Sequence, residues 1–149
     1  MLDVGAEAPD FELQNQDGET VSLSEFDGRV VLYFYPRADT PGCTTEACGF
    51  RDNWGEYLGR NITVLGVSDD PVSDLADFAA EYELPIQLLS DEDGTVAAAY
   101  DSYGEKQISG DTFDGVFRNT YLINDGVIEA VYEGVDPEGH AEEIIADLE

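Results

Sequence analysis

The order of residues predicts an α/β fold, with one mixed central β-sheet flanked by helices on both faces. Three observations predict it. Two apolar runs rich in β-branched and aromatic residues, 30–35 and 62–67, are each followed by a segment that reads as helix, the pattern of parallel strands with crossover helices. Two later runs, 119–123 and 127–132, are joined by Asn124-Asp125-Gly126, a hairpin signal that asks for antiparallel strands. A chain of 149 residues is long enough to bury a core of its own, so a single domain over 1–149 is expected.

Taken in order, the stretch up to about Gly28 is rich in turn signals such as Asp17-Gly18 and Asp27-Gly28. Val30 to Tyr35 reads as a buried strand. Thr40 then suits an N-cap and Pro41 the first helical position, with the helix running through Phe50 and Trp54 to about Leu58. Ile62 to Val67 is a second buried strand. Asp70-Pro71 opens a helix whose Leu75, Phe78, Ala79 and Tyr82 recur at helical spacing. Pro85 to Leu89 reads as a short strand, Asp93 to Tyr100 as a short helix, and the polar, Gly-containing stretch Asp101 to Gly115 as a loop. After the hairpin, Asp136-Pro137 caps a last helix with Ala141, Ile144, Ile145 and Leu148 on one face. Strand–helix alternation followed by a hairpin and a helix is a thioredoxin-like arrangement.

The charge is extreme. Thirty-four acidic residues face six Lys and Arg, giving a formal net charge of −28, and Lys106 is the one lysine. Nucleic acid is excluded as a partner, because binding it needs a basic face. The acidic residues are spread along the chain, which makes them a solvated surface rather than a tail. Such a surface repels itself at low salt, and salt at 1 M cuts the Debye length to ~3 Å. A salt-rich cytoplasm, as in a potassium-accumulating halophile, is therefore expected. The first residues lack a basic stretch and an apolar stretch, so no secretory signal is expected, and no run is long enough to span a bilayer.

Cys43 and Cys48 are the only cysteines. They follow directly on a strand, at the start of a helix, where backbone N–H groups favour an anion. A cytosolic pair of this kind points to redox chemistry rather than to a structural staple. In an α-helix, residues five apart have Cα atoms roughly 8.6 Å apart, beyond the ~7 Å limit for a disulfide. If both cysteines are helical when reduced, bonding them requires local unwinding.

Pro36, Thr40 and Cys43 fit the spacing Pro-x-x-x-Thr-x-x-Cys, and the run Thr40-Pro41-Gly42-Cys43-Thr44-Thr45-Glu46-Ala47-Cys48 resembles the peroxiredoxin family, in its peroxiredoxin Q or bacterioferritin comigratory protein subfamily. Phe11-Glu12-Leu13, Gly66-Val67-Ser68-Asp69, Leu88-Leu89-Ser90-Asp91 and Arg118-Asn119-Thr120-Tyr121-Leu122-Ile123 resemble further landmarks of that family in the same order. The resemblance implies a thiol peroxidase with no metal or organic cofactor. It makes Cys43 the thiolate that attacks hydrogen peroxide or an organic hydroperoxide, and Cys48 the thiol that resolves the resulting sulfenic acid as a disulfide. A thioredoxin-like electron donor recycles it. Arg118 takes the position of the family arginine beside the reacting sulfur, and Pro36 and Pro41 shape and shield the loop. Thr40 holds a peroxide oxygen, caps the helix, or does both. Glu46 orients the arginine or is a helix-favouring surface residue.

Other readings remain open on sequence grounds. A protein-disulfide oxidoreductase is one, although a C-x-x-C motif is lacking; a redox sensor that passes its oxidation to a partner is another. His140, the only histidine, reads as a solvated or capping side chain in the last helix, and with the two cysteines it fits no common zinc spacing. Arg51 reads as half of a surface ion pair, and Trp54, Phe34, Phe50 and Phe117 as core or pocket wall. Some members of the subfamily are monomers, and self-repulsion at this charge favours the same state here.

Overall fold

Strand β3 (Arg29–Phe34) is buried along nearly its whole length, and the rest of the sheet grows outward from it. The computed structural model describes residues 2–148 other than 39 and 109, with the backbone alone described at 107, 108, 111 and 113. Parallel to β3 lies β4 (Ile62–Ser68), and parallel to β4 lies β5 (Gln87–Ser90). On the other side of β3 the hairpin of β8 (Thr120–Asn124) and β9 (Val127–Tyr132) pairs antiparallel. Two short strands, β1 (Glu12–Asn15) and β2 (Thr20–Ser22), complete a seven-stranded sheet in the order β2-β1-β5-β4-β3-β8-β9.

Alternation along β3 divides the core in two. Val31, Tyr33 and Tyr35 join α1 (Pro41–Asp52), α2 (Trp54–Gly59), α3 (Val72–Tyr82) and α5 (His140–Asp147) on one face. Val30, Leu32 and Phe34 meet α4 (Thr95–Ala99), Tyr100, Tyr121 and Phe11 on the other. The first cluster bears on function, because it fixes α1 against the sheet. Tyr33 stacks on Phe50 of α1 at 4.8 Å between ring centroids. Gly66 of β4 is needed for this: a Cβ there would lie 2.7 Å from the Tyr33 ring.

Four expected elements differ from the observed ones. The turn-rich N-terminal stretch contains β1 and the edge strand β2, which are too short to show alternation. The helix expected from Pro41 to about Leu58 is broken at Asn53, whose side-chain amide donates to Gly49 O at 2.8 Å and to Glu142 at 2.9 Å. The stretch 101–115, expected as a loop, forms a separate two-stranded ribbon, β6 (Tyr103–Ile108) with β7 (Asp111–Val116). The last helix starts at His140 rather than beside Asp136-Pro137, after Gly139 takes a left-handed φ of 80°.

Candidate active site

The site is built where β3 hands over to α1. After Tyr35 the chain bends at Pro36 and turns at Ala38, and Asp70 holds that turn: its Oδ2 accepts from Ala38 N at 2.6 Å and from the Ser68 hydroxyl at 2.8 Å. Asp70 was not among the sequence candidates; its only visible signal was the helix-opening Asp70-Pro71. Pro36 is half-buried in this turn. Thr40 has the extended backbone of an N-cap, and its carbonyl accepts from Thr44 N at 2.8 Å. Its side chain does not cap the helix. The hydroxyl donates instead to Arg37 O at 2.9 Å, which leaves its oxygen lone pairs available.

Cys43 lies in the first turn of α1 and is 2% exposed. Arg118, from the link between β7 and β8, brings its guanidinium between two side chains of that helix. Nη2 donates to Cys43 Sγ at 3.3 Å and Nη1 to Glu46 Oε1 at 2.7 Å. The Arg118 carbonyl accepts from Val135 N at 2.8 Å, which ties its backbone to the segment leading into α5. Gly42 makes the approach possible, because a Cβ there would lie 3.1 Å from Arg118 Nη2. Glu46 is 1% exposed, so it is not a surface residue.

The electrostatics follow from this burial. Glu46 is pushed up to about 7, because desolvation outweighs the pull of Arg118. One reason is visible: Oε2 has no hydrogen-bond partner among the described residues, so a single oxygen is compensated. Desolvation opposes the Arg118 charge, yet Cys43 and Glu46 more than offset it and hold its pKa above the ordinary value. The walls on the sheet side are Tyr33 and Tyr35, both fully buried, with hydroxyls raised above the ordinary value first of all by burial.

Cys48 is half-buried and unbonded, five residues along the same helix as Cys43. His140 is not solvated. It is 1% exposed, with Nε2 at 2.9 Å from the Thr120 hydroxyl and Nδ1 at 2.9 Å from Glu143, and burial lowers its pKa. Arg51 pairs with Asp52 at the surface and also donates to Tyr82 O at 2.8 Å. Among the described residues no three His, Cys, Asp or Glu side chains converge as metal ligands, and no helix is long and apolar enough to cross a membrane.

Comparison with known proteins gives one answer. The model of the AhpC/TSA family matches residues 4–131. The putative peroxiredoxin bcp of Coxiella burnetii is 44% identical over 149 residues, 99% of each chain. Peroxiredoxin Bcp of Escherichia coli is 44% identical over 146 residues, covering 97% of this chain and 94% of that one. A mutant of peroxiredoxin Q from Xylella fastidiosa superposes with a TM-score of 0.93 at 31% identity, covering 99% of this chain and 96% of that one. The Xanthomonas campestris bacterioferritin comigratory protein, described for its alkyl peroxide reduction activity, gives a TM-score of 0.89 at 32% identity over 99% and 96% of the two chains. With its thioredoxin-like fold and its cysteine pair, the chain belongs to the AhpC/TSA family as a peroxiredoxin of the Bcp and peroxiredoxin Q type, a thiol peroxidase.

Proposed function

We propose that Cys43 is the peroxidatic residue and Cys48 the resolving one, acting within a single domain. The observation that carries this is the Arg118 guanidinium, which donates to Cys43 Sγ while Glu46 holds it from the other side. The Cys43 thiolate attacks one oxygen of a hydroperoxide and the O–O bond breaks. Cys43 becomes a sulfenic acid, and the other oxygen leaves as water or an alcohol after taking a proton. Arg118 faces the negative charge that develops on the leaving oxygen. Thr40 offers its free lone pairs to the peroxide O–H, and Pro36 and Pro41 keep water from the sulfur.

Cys48 then attacks the sulfenic sulfur, water leaves, and a Cys43–Cys48 disulfide forms. Both residues are helical in α1, so the disulfide requires the first turns of α1 to unwind. A thioredoxin-like dithiol returns two electrons by exchange. No metal or organic cofactor has a part in these steps. The enzyme works as a monomer in a salt-rich cytoplasm, the setting in which a net charge of −28 is tolerable.

Rapid-quench thiol trapping tests the arginine. Replacing Arg118 by Met is expected to slow the loss of the Cys43 thiol to hydrogen peroxide by about 10²–10³, the cost of removing one aimed donor. An unchanged rate would remove Arg118 from the chemistry.

A further inference from the structure

The cations of this chain are few, and most are neutralised. Arg29 pairs with Glu129, Arg51 with Asp52, Arg60 with Glu56 and Arg118 with Glu46. Arg37 shares a surface cleft with Asp70, Asp74, Asp77 and Glu81. Lys106 differs: among the described side chains no carboxylate pairs with it, in a protein with thirty-four of them. It stands on β6, half-buried, with Nζ 5.7 Å from the centre of the Phe117 ring. Two residues back along the strand, a Cβ on Gly104 would lie 3.2 Å from that same ring. β6 thus lies across Phe117, and the next residue is Arg118. Strand alternation turns the paired Glu105 and Asp114 to the opposite face of the ribbon. Arg118, Cys43 and Asp69 are the charges that act on the Lys106 ammonium.

We propose that Lys106 is a specificity residue that binds the anionic group of a hydroperoxide carrying one, a carboxylate set apart from the –OOH by an apolar body. Hydrogen peroxide has no use for an ammonium over Phe117 that no described carboxylate pairs with. A charged organic hydroperoxide does, because the rest of the surface repels it. The ammonium takes no part in bond breaking; it holds the substrate while Cys43 reacts. The proposal rests on the peroxidase reading.

The test is single-turnover loss of the Cys43 thiol without reductant, at a KCl concentration that keeps the protein folded. The probes are hydrogen peroxide, cumene hydroperoxide and its 4-carboxy analogue. The rate ratio of carboxylated to neutral cumene hydroperoxide is expected to fall roughly 10-fold in Lys106→Gln and to return in Lys106→Arg, the low end of electrostatic focusing. An equal ratio in wild type and Lys106→Gln overturns the proposal. So does an effect seen only in a separate measurement of disulfide reduction by a thioredoxin-like dithiol, which would place an acidic reductant at Lys106 instead. A wild type inert to all three probes would overturn the peroxidase reading itself, an outcome separate from the other two.

Discussion

Glu46 sets the charge balance beside the reactive sulfur. Its folded pKa of about 7 stands above the 4.5 of an ordinary glutamate, so the folded state holds its proton more tightly than the unfolded state. The stability it contributes is therefore present below about 4.5 and is lost as the pH rises through about 7. In urea titrations, the stability of wild type relative to Glu46→Gln should fall between pH 5 and pH 8; a constant difference would mean that Glu46 is ionised throughout. At this scale, legibility depended on distance along the chain. Pro36, Thr40 and Cys43 lie close along the chain, and their spacing carries the resemblance to the family. Arg118 meets Glu46 across 72 residues, and nothing in residue chemistry selects it from six cations; only the family resemblance reached it. Glu46 was ambiguous because an acid near a helix start is favourable at the surface too. The burial of His140 had no local sign, since its partner Thr120 lies on β8, twenty residues earlier in the chain.

Helix α1 has two parts with different holds on the rest of the fold. Its first turns carry Cys43 and Cys48 and bury Cys43, Glu46 and Ala47, with Arg118 holding Cys43 and Glu46 from outside the helix. From Phe50 onward it is anchored: Phe50 is fully buried against Tyr33, Arg51 donates to Tyr82 O, and Asn53 reaches Glu142. Truncating a buried Phe costs about 3–5 kcal/mol, so the Phe50 anchor resists opening. Hydrogen exchange should therefore show protection lost over 43–48 on oxidation and kept from Phe50 onward. Identical exchange in the reduced and oxidised proteins would contradict the unwinding step. The strands β3, β4, β8 and β9 were legible because burial makes their apolar runs continuous or bounded by clear turns. The β6–β7 ribbon was not, because it stands apart from the main sheet and carries Gly104, Gly115 and charged residues where alternation would otherwise appear. The break at Asn53 depends on a side chain of α5, which a helical pattern read along α1 does not contain.

For the whole molecule, the two core clusters are ordinary and the surface is not. A net charge of −28 makes self-repulsion the main long-range force, and salt screens it. The unfolding midpoint should rise as KCl is raised toward molar concentrations, and a flat or falling midpoint would remove the reason to place the protein in a salt-rich cytoplasm. Composition made this property legible at once, while the position of Lys106 over Phe117, next in sequence to Arg118, depended on the ribbon and appeared only in the structure. The central proposal joins all three scales: a buried thiol beside an arginine, on a helix that opens to bring Cys48 to it, in a protein of net charge −28. It is tested most directly by intact mass and free-thiol count after one equivalent of hydrogen peroxide in molar KCl, for wild type, Cys43→Ser and Cys48→Ser. The account predicts rapid loss of both thiols in wild type, a trapped sulfenic acid in Cys48→Ser and inertness in Cys43→Ser. Slow reaction in all three would contradict it and would leave exchange with protein disulfides as the better description.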